Sequence, residues 1–373
     1  MRSPGRRRLP GTPSRAGLAL TGALALALAP ALPAAADATS SAAGPAVSGA
    51  GSAAPSAPSA PPGVSGVTTR CTLRDRRLPE VSGLVDEGDR MVVMDDGGDR
   101  ATVYVLDRSC AVVDVRTAPV DPYDPEDLAR GSDGTLWLAD TGDNRQERAT
   151  VALIALRPDG LSAVHRFTYP DGPHDTEALL LAPDGTPYLV TKEVLGASSV
   201  YRPASAVDAG ATVPLVRVGE VDVTLTGTPG GPAGHAGQLM VTGGAVSPDG
   251  TKVALRTYTD AYVWPLTGSD VAGALAGQRA RIPLPEQQQG EAVSFTPDGT
   301  ALVVAGEGLP TDVSVVPLAG APASGAASAA APSPAAATAD ASASPTPVLA
   351  ALVAAALATV LVWIGGRTWR RHR

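Results

Sequence analysis

Apolar and polar positions follow a unit that recurs five times between residues 82 and 308. Each unit reads as a small or acidic residue, a short apolar run, a turn that ends in Gly, a second apolar run, and a polar or charged cluster. Residues 126–144, EDLARGSDGTLWLADTGDN, are a clear copy. Short apolar runs bounded by turn residues are typical of β-strands. The pattern therefore predicts repeated pairs of strands joined by tight turns.

The spacing of these units is that of propeller blades. Their starts are separated by 44, 51, 65 and 49 residues, and the turn Gly falls eight residues after the start in four of them and six after it in the first. Pro, Asp and Gly, as in the SPDG and TPDG segments, suit successive positions of such a turn. Repeats of this length are typical of four-stranded blades. The five starts are Ser82, Glu126, Glu177, Thr242 and Glu291.

The predicted fold is therefore all-β, a β-propeller of four-stranded blades over residues 67–318, with five visible repeats and six possible. The 65-residue interval contains the Gly-rich segment 226–237, which is either a mobile insertion in one blade or part of an eroded sixth blade. Residues 270–278 predict a short helix. The last repeat ends at residue 318 without an outer strand, and residues 67–78 are expected to supply it and close the ring.

Both ends of the chain predict export and a membrane anchor. Residues 1–36 combine five Arg, an apolar stretch and an Ala-Ala-Ala site, as a signal peptide does; a retained anchor is the alternative. Residues 348–366 carry no charge and are long enough to span a bilayer. The Arg-rich tail should stay in the cytoplasm, which leaves the propeller outside the cell membrane. The predicted parts are a signal peptide (1–36), linkers rich in Ala, Ser and Pro (37–66 and 319–347), a single transmembrane helix (348–366) and a basic cytoplasmic tail (367–373).

Charge narrows the choice of partner. Nine of the 29 Lys and Arg lie in the two ends, and all 37 Asp and Glu lie between them, so the exported part carries a formal charge of −17. Such a surface repels phosphate backbones, which argues against a nucleic-acid partner. Excess carboxylates either concentrate cations or simply favour solubility.

The two cysteines, Cys71 and Cys110, both lie in the predicted exported domain. In an oxidising compartment such a pair implies one disulfide. This disulfide would fasten the closing strand to the neighbouring blade. Two free buried thiols are the alternative.

Four segments carry a resemblance to a known group: DPEDLARGSDGTLWLADTGDN, YPDGPHDTEALLL, VALRTYTDAYVW and QGEAVSFTPDG. They resemble exported, membrane-anchored TolB-like and WD40-like β-propellers of high-GC Gram-positive bacteria. The resemblance covers about residues 71–318 and implies the propeller fold. It implies no catalytic residues, since no reaction is assigned to that group.

Repeat starts and second-strand ends should meet at one end of the ring, since the two strands of each pair are antiparallel. Several carboxylates would then lie together, and they require a cation or raised pKa values. An oxygen-rich, histidine-poor set favours Ca²⁺ or another hard divalent cation; ion pairing between blades is the alternative. The predicted ligand-binding residues are Glu126, Glu177, Glu291, Lys192, Glu193, Arg256 and Glu307, and the predicted metal ligands are Glu126, Asp140, Asp143, Asn144 and Glu177.

Catalytic signatures are few. The sequence has no GxSxG, HExxH or CxxC segment. His174, beside Asp175, is the one histidine expected near the acidic end, either as an acid or base or in a structural hydrogen bond. Two functions remain: a binding module for an extracellular small molecule or protein, which the sequence favours, and a metal-dependent hydrolase of lactones, esters or phosphoesters.

Overall fold

The computed structural model describes residues 66–195 and 197–318. The predicted signal peptide, transmembrane helix, basic tail and linkers, apart from Gly66, lie outside the described residues. Within them, no helix has the length and apolar character needed to cross a membrane.

The described residues form strands that alternate with short turns, as the repeated pattern predicts. Four antiparallel strands make each blade; four of the blades contain consecutive strands, and the fifth takes its outer strand from the start of the described chain. Blade 1 contains β2 (Val81–Asp86), β3 (Met91–Asp95), β4 (Thr102–Leu106) and β5 (Val112–Thr117), and blade 2 contains β6 (Pro125–Arg130), β7 (Leu136–Asp140), β8 (Val151–Leu156) and β9 (Ser162–Thr168). Blade 3 contains β10 (Thr176–Leu181), β11 (Pro187–Thr191), β12 (Ser198–Pro203) and β13 (Thr212–Val221), and blade 4 contains β14 (Val241–Val246), β15 (Lys252–Thr257), β16 (Asp260–Pro265) and β17 (Ala280–Pro283). Blade 5 contains β18 (Gln289–Phe295), β19 (Ala301–Glu307), β20 (Thr311–Pro317) and β1 (Thr68–Leu73).

The blades are arranged in a ring. Their first strands, β2, β6, β10, β14 and β18, pack against one another in chain order, and β18 packs against β2. Within the described residues, five apolar clusters fill the five spaces between neighbouring blades. This cyclic order is that of a five-bladed β-propeller. The described chain between β13 and β14 contains no strand, so the alternative of an eroded sixth blade is wrong.

The ring closes through the N-terminal strand, as predicted. Strand β1 pairs antiparallel with β20, with Thr68 opposite Val315 and Leu73 opposite Thr311. A disulfide joins Cys71 on β1 to Cys110 in the turn between β4 and β5, with the two Cα atoms 5.7 Å apart. The disulfide prediction is therefore confirmed, and it links the last blade to the first.

The Gly-rich insertion is held in place by side chains. Gln238 accepts hydrogen bonds from the backbone N–H groups of Thr226 and Gly227, and the hydroxyls of Thr226 and Thr228 donate to Asp260. A short 3₁₀ helix at Gly234–Gln238 follows. These contacts join the insertion to blade 4 through Asp260.

Two features lie at the outer edges of the blades. The predicted helix forms as α1 (Val271–Leu275), and Asp270 caps its first turn by accepting a hydrogen bond from the Gly273 N–H. Strands β9 and β13 pair in parallel, with Thr212 opposite Arg166. This pairing joins blades 2 and 3 into one eight-stranded sheet.

Candidate functional site

The repeat starts lie at bulges of the inner strands. The pairing of first and second strands skips Ser82, Glu126, Glu177 and Thr242 in the first four blades, and it shifts across Glu291 in the fifth. A bulge bends the strand and changes the direction of its side chain. The bulges therefore direct these side chains at the end of the ring where the inner strands begin, which we call the mouth.

Three buried carboxylates converge in the mouth. Glu126, Asp175 and Glu177 each place an oxygen within 4.8 Å of the others. Burial raises the pKa of Glu126 well above its usual range, and the charges of Glu177 and Asp124 raise it further. Burial also raises the pKa values of Glu177 and Asp175, which Lys192 only partly offsets. These three residues, which we call the acidic triad, are oxygen donors suited to a hard cation.

Lys192 lies in the mouth among these carboxyl groups. Its Nζ donates a hydrogen bond to Glu177 Oε1 at 2.8 Å and lies 5.5 Å from the centre of the Tyr258 ring. Burial alone would lower the pKa of Lys192, but Glu177, Tyr258, Glu291 and Asp175 outweigh it, and the pKa lies well above its usual range. The ammonium therefore stays protonated and supplies one of the positive charges that the carboxylates require.

A second pair of carboxyl groups lies in the mouth beside Lys192. Glu291 is 3% exposed, and its Oε2 has no hydrogen-bond partner. Burial raises its pKa, with partial compensation from Lys192 and Arg256. Burial and the charge of Glu291 raise the pKa of Glu307 to about 9. Glu307 therefore carries a proton at neutral pH.

Acidic groups continue into blade 1. Glu80, Asp95 and Asp96 place oxygens within 4.8 Å of one another, and the Glu80 N–H donates to Asp95 Oδ1 at 2.7 Å. The charges of Asp96 and Glu80 also contribute to the raised pKa of Glu307. The mouth is thus lined by carboxyl groups from blades 1, 2, 3 and 5.

Arg256 has a structural role at the contact between blades 4 and 5. Its guanidinium is wholly buried and donates to the carbonyls of Ala292 at 2.8 Å and Ala305 at 3.0 Å, and to the Gln287 side chain. Burial lowers its pKa to about 10, so it remains charged. Arg256 therefore ties blade 4 to blade 5 and does not present its donors to a ligand, contrary to the sequence prediction.

The predicted metal ligands separate into two groups. Glu126 and Glu177 lie in the acidic triad, where Asp175 joins them. Asp140 accepts hydrogen bonds from the Tyr123 and Asp124 N–H groups and pairs with Arg148. Asp143 accepts from the N–H groups of Glu147 and Arg148, and Asn144 is exposed. Asp140 and Asp143 therefore stabilise a connection of blade 2, so these three predictions of metal binding are not supported.

His174 and Glu193 also have local partners. His174 Nε2 lies 3.0 Å from Asp171 Oδ1 and 2.9 Å from the Tyr201 hydroxyl, and its ring contacts Tyr169 and Tyr201. This is the structural hydrogen bond that the sequence left open. Glu193 accepts a hydrogen bond from Thr191 Oγ1 at 3.0 Å.

Asp127 is a central residue that sequence reasoning missed. Its buried carboxylate accepts the backbone N–H groups of Leu179 at 2.8 Å and Gly244 at 3.0 Å. Since these donors belong to blades 3 and 4, the Asp127 side chain connects three inner strands across the ring. The signal was available in the repeats, because the equivalent position after each start is small in the other blades: Gly83, Ala178, Gly243 and Ala292.

Gly142 lies in the DTGD segment at the end of β7, where the backbone passes close to two acidic side chains. A Cβ at this position would lie 2.8 Å from the Asp124 carboxylate and closer still to Glu126 Oε1. Only glycine allows the backbone to come this close to both acidic side chains. The glycine therefore makes room for the carboxylates of the mouth.

Comparisons with known proteins leave the family open. No protein-family model matches the chain, and no curated protein matches it. Among solved structures, it is similar to the gluconolactonase XC5397 of Xanthomonas campestris, at 19% identity over 65% of this chain and 72% of that chain, with a TM-score of 0.37. It is also similar to a virginiamycin B lyase of Staphylococcus aureus, at 11% identity over 64% and 67% with a TM-score of 0.34, and to a streptogramin B lyase, at 10% identity over 67% and 96% with a TM-score of 0.34. These similarities do not assign the chain to either group.

Proposed function

We propose that this protein is a membrane-anchored, extracytoplasmic binding module that takes up a cation or a cationic ligand in the mouth of its propeller. One observation carries the proposal: Glu126, Asp175 and Glu177 converge within 4.8 Å while buried. Like charges held this close in a low dielectric must be neutralised by protons or by a cation. Lys192 supplies only one positive charge, so the triad remains deficient in cations when ionised.

A hard divalent cation fits the donor chemistry of the triad. Ca²⁺ takes about six to eight oxygen ligands, commonly from carboxylates, carbonyls and water. Three carboxylates would supply the protein ligands, and the remaining positions would be open to water or to a ligand. The Lys192 ammonium competes for Glu177 Oε1, so the bound cation would have to displace it or share this carboxylate.

A metal-dependent hydrolase is the second candidate, and one observation favours it. Glu307 holds a proton at neutral pH, since its pKa is about 9, and hydrolysis of a lactone or phosphoester uses a proton donor together with a bound cation. We rank this function second because His174 is hydrogen-bonded to Asp171 and Tyr201 and the sequence carries neither a GxSxG nor an HExxH segment.

The anchor and the outward orientation rest on the sequence. The uncharged stretch 348–366 and the Arg-rich tail support them, and the Cys71–Cys110 disulfide supports an oxidising compartment. The four segments that resemble exported TolB-like and WD40-like propellers support the same assignment.

The test is metal binding by the purified full-length chain. We expect bound Ca²⁺ by elemental analysis, a melting temperature that falls with EDTA and recovers with Ca²⁺, and loss of both effects in Glu177→Gln. Glu220→Gln is the matched control, because Glu220 is exposed and pairs with Arg217 at the outer strand of blade 3. No metal, and no change of melting temperature with Ca²⁺, would remove divalent-cation binding. If Ca²⁺ binds, turnover of lactone, ester or phosphoester panels that depends on Glu307 would favour the hydrolase.

A further inference from the structure

Large apolar side chains are exposed around the acidic mouth. Tyr123 is 52% exposed, Leu195 60% and Leu225 61%, and Val194 is also exposed. Tyr123 and Leu225 lie in connections that enter an inner strand, and Val194 and Leu195 lie between a second and a third strand. In an antiparallel blade both kinds of connection are at the end where the inner strand begins. We call these four residues the apolar rim.

The rim accounts for most of the large apolar surface side chains in the described residues. The other three are Val113 and Val115 on β5, and Leu161 between β8 and β9. The rim residues come from three separate connections, which belong to blades 2, 3 and 4. Exposed apolar side chains that lie at one end of a molecule beside a polar site are candidates for an interaction surface.

The interior of the mouth supplies an unsatisfied acceptor. Glu291 Oε2 is buried and has no hydrogen-bond partner, although the burial that raises its pKa is partly offset by the charges of Lys192 and Arg256 and by side-chain hydrogen bonds from Gln289 and Tyr258 to the Glu291 carboxyl group. A buried acceptor without a donor is costly, because it has lost water without replacement. A donor that carries positive charge would satisfy it best, since the carboxyl groups of the mouth outnumber its two cations, Lys192 and Arg256.

We propose that the mouth binds a protein segment that inserts a Lys or Arg side chain toward Glu291 while apolar residues on either side of it contact the apolar rim. This rests on the mouth being the binding site proposed above, and it names the ligand class. A bare metal ion would leave the rim exposed, and an acidic segment would meet like charge. A basic side chain with apolar neighbours matches both features, and interfaces commonly combine aromatic and apolar contacts with one desolvated charge.

The test uses fluorescent peptides with one central residue between apolar neighbours, measured by anisotropy on the full-length chain. The central residue is Lys, Arg, norleucine or Glu. We expect Lys and Arg peptides to bind at least about tenfold more tightly than norleucine peptides, which is the scale of one charged hydrogen bond. Glu291→Gln should remove that preference, and Leu225→Ser should weaken all the apolar peptides.

The controls separate this inference from the site itself. Leu161→Ser removes an apolar side chain that is 62% exposed at the opposite end of the ring, and it should leave peptide binding unchanged. Circular dichroism and melting temperature check that Glu291→Gln is folded, and Leu225→Ser tests the rim without touching the buried cluster. If Ca²⁺ binds but Lys and norleucine peptides bind equally, the inference is wrong and the cation site stands. If neither Ca²⁺ nor basic peptides bind, both proposals fail.

Discussion

Lys192 Nζ lies 2.8 Å from Glu177 Oε1, and the two side chains are only 11% and 2% exposed. The pair joins the end of the second strand of blade 3 to the start of its first strand. Desolvation of two charges is offset here by their mutual attraction and by the other carboxylates around the ammonium. The pair therefore controls how much negative charge the mouth can offer to another cation.

Replacing Lys192 tests this control. Lys192→Met removes the ammonium and keeps most of the aliphatic volume, so Ca²⁺ affinity should rise about tenfold or more because a like charge is removed next to the cation. Without Ca²⁺ the variant should lose about 3–5 kcal/mol of unfolding free energy, as expected for a buried ion pair that loses one partner. Calorimetry and denaturant unfolding measure the two effects. Lys252→Met is the control, because Lys252 pairs with Asp249 in a turn at the opposite end; an unchanged Ca²⁺ affinity in Lys192→Met would contradict the prediction.

Glu307 should make the stability depend on pH. Its pKa is raised from 4.5 to about 9 in the folded protein, so between these values the folded chain holds a proton that the unfolded chain releases. Stability from this group is therefore complete at low pH and is lost as the pH rises toward 9. With EDTA present, the melting temperature should fall between about pH 6 and pH 9, and the fall should be smaller in Glu307→Gln. An identical fall in the wild type and the variant would show that Glu307 does not titrate in this range.

Arg256 should contribute to stability rather than to binding. Arg256→Met would leave the carbonyls of Ala292 and Ala305 without their donors in a buried position. The expected loss is about 3 kcal/mol or more, since each unsatisfied buried acceptor costs on the order of 1–3 kcal/mol. Denaturant unfolding measures it, with Arg217→Met at an exposed position as the control. A stable variant that has lost affinity for Ca²⁺ or for the basic peptides would instead show that Arg256 contributes to binding.

The disulfide should stabilise the closure of the ring. Cys71 and Cys110 are separated by 39 positions, for which the chain-entropy treatment gives about 4 kcal/mol. The double variant Cys71→Ser/Cys110→Ser should lose about this much unfolding free energy, and treatment of the wild type with a reducing agent should produce the same loss. A double variant as stable as the oxidised wild type would mean that blade 5 and the hydrogen bonds of β1 close the ring unaided.

The repeated pattern was sufficient to predict the blades, because each turn glycine and each repeat start follow from local backbone chemistry. The same pattern predicted that Glu126, Glu177 and Glu291 lie at one end of the ring, since antiparallel pairing fixes which strand ends meet. It also predicted the closing strand and its disulfide. These properties depend on spacing along the chain.

The partners of the polar side chains could not be predicted in the same way. Asp140 and Asp143 have the composition of metal ligands, but nearby backbone N–H groups and Arg148 satisfy them. Arg256 reaches carbonyls of the next blade, and Asp127 reaches backbone groups of two other blades. Such contacts depend on side-chain direction across blade boundaries, which the spacing of residues does not encode.

The pairing of β1 with β20 determines where the two ends of the described chain lie relative to the mouth. Because β20 runs away from the mouth and β1 runs toward it, the described chain enters near Thr68 and leaves near Pro317 on the side of the ring that carries the Gly turns. A tether attached at either terminus would therefore hold the ring by the end opposite the mouth. In the membrane-anchored arrangement that we propose, the carboxylates and the apolar rim would consequently face away from the point of attachment.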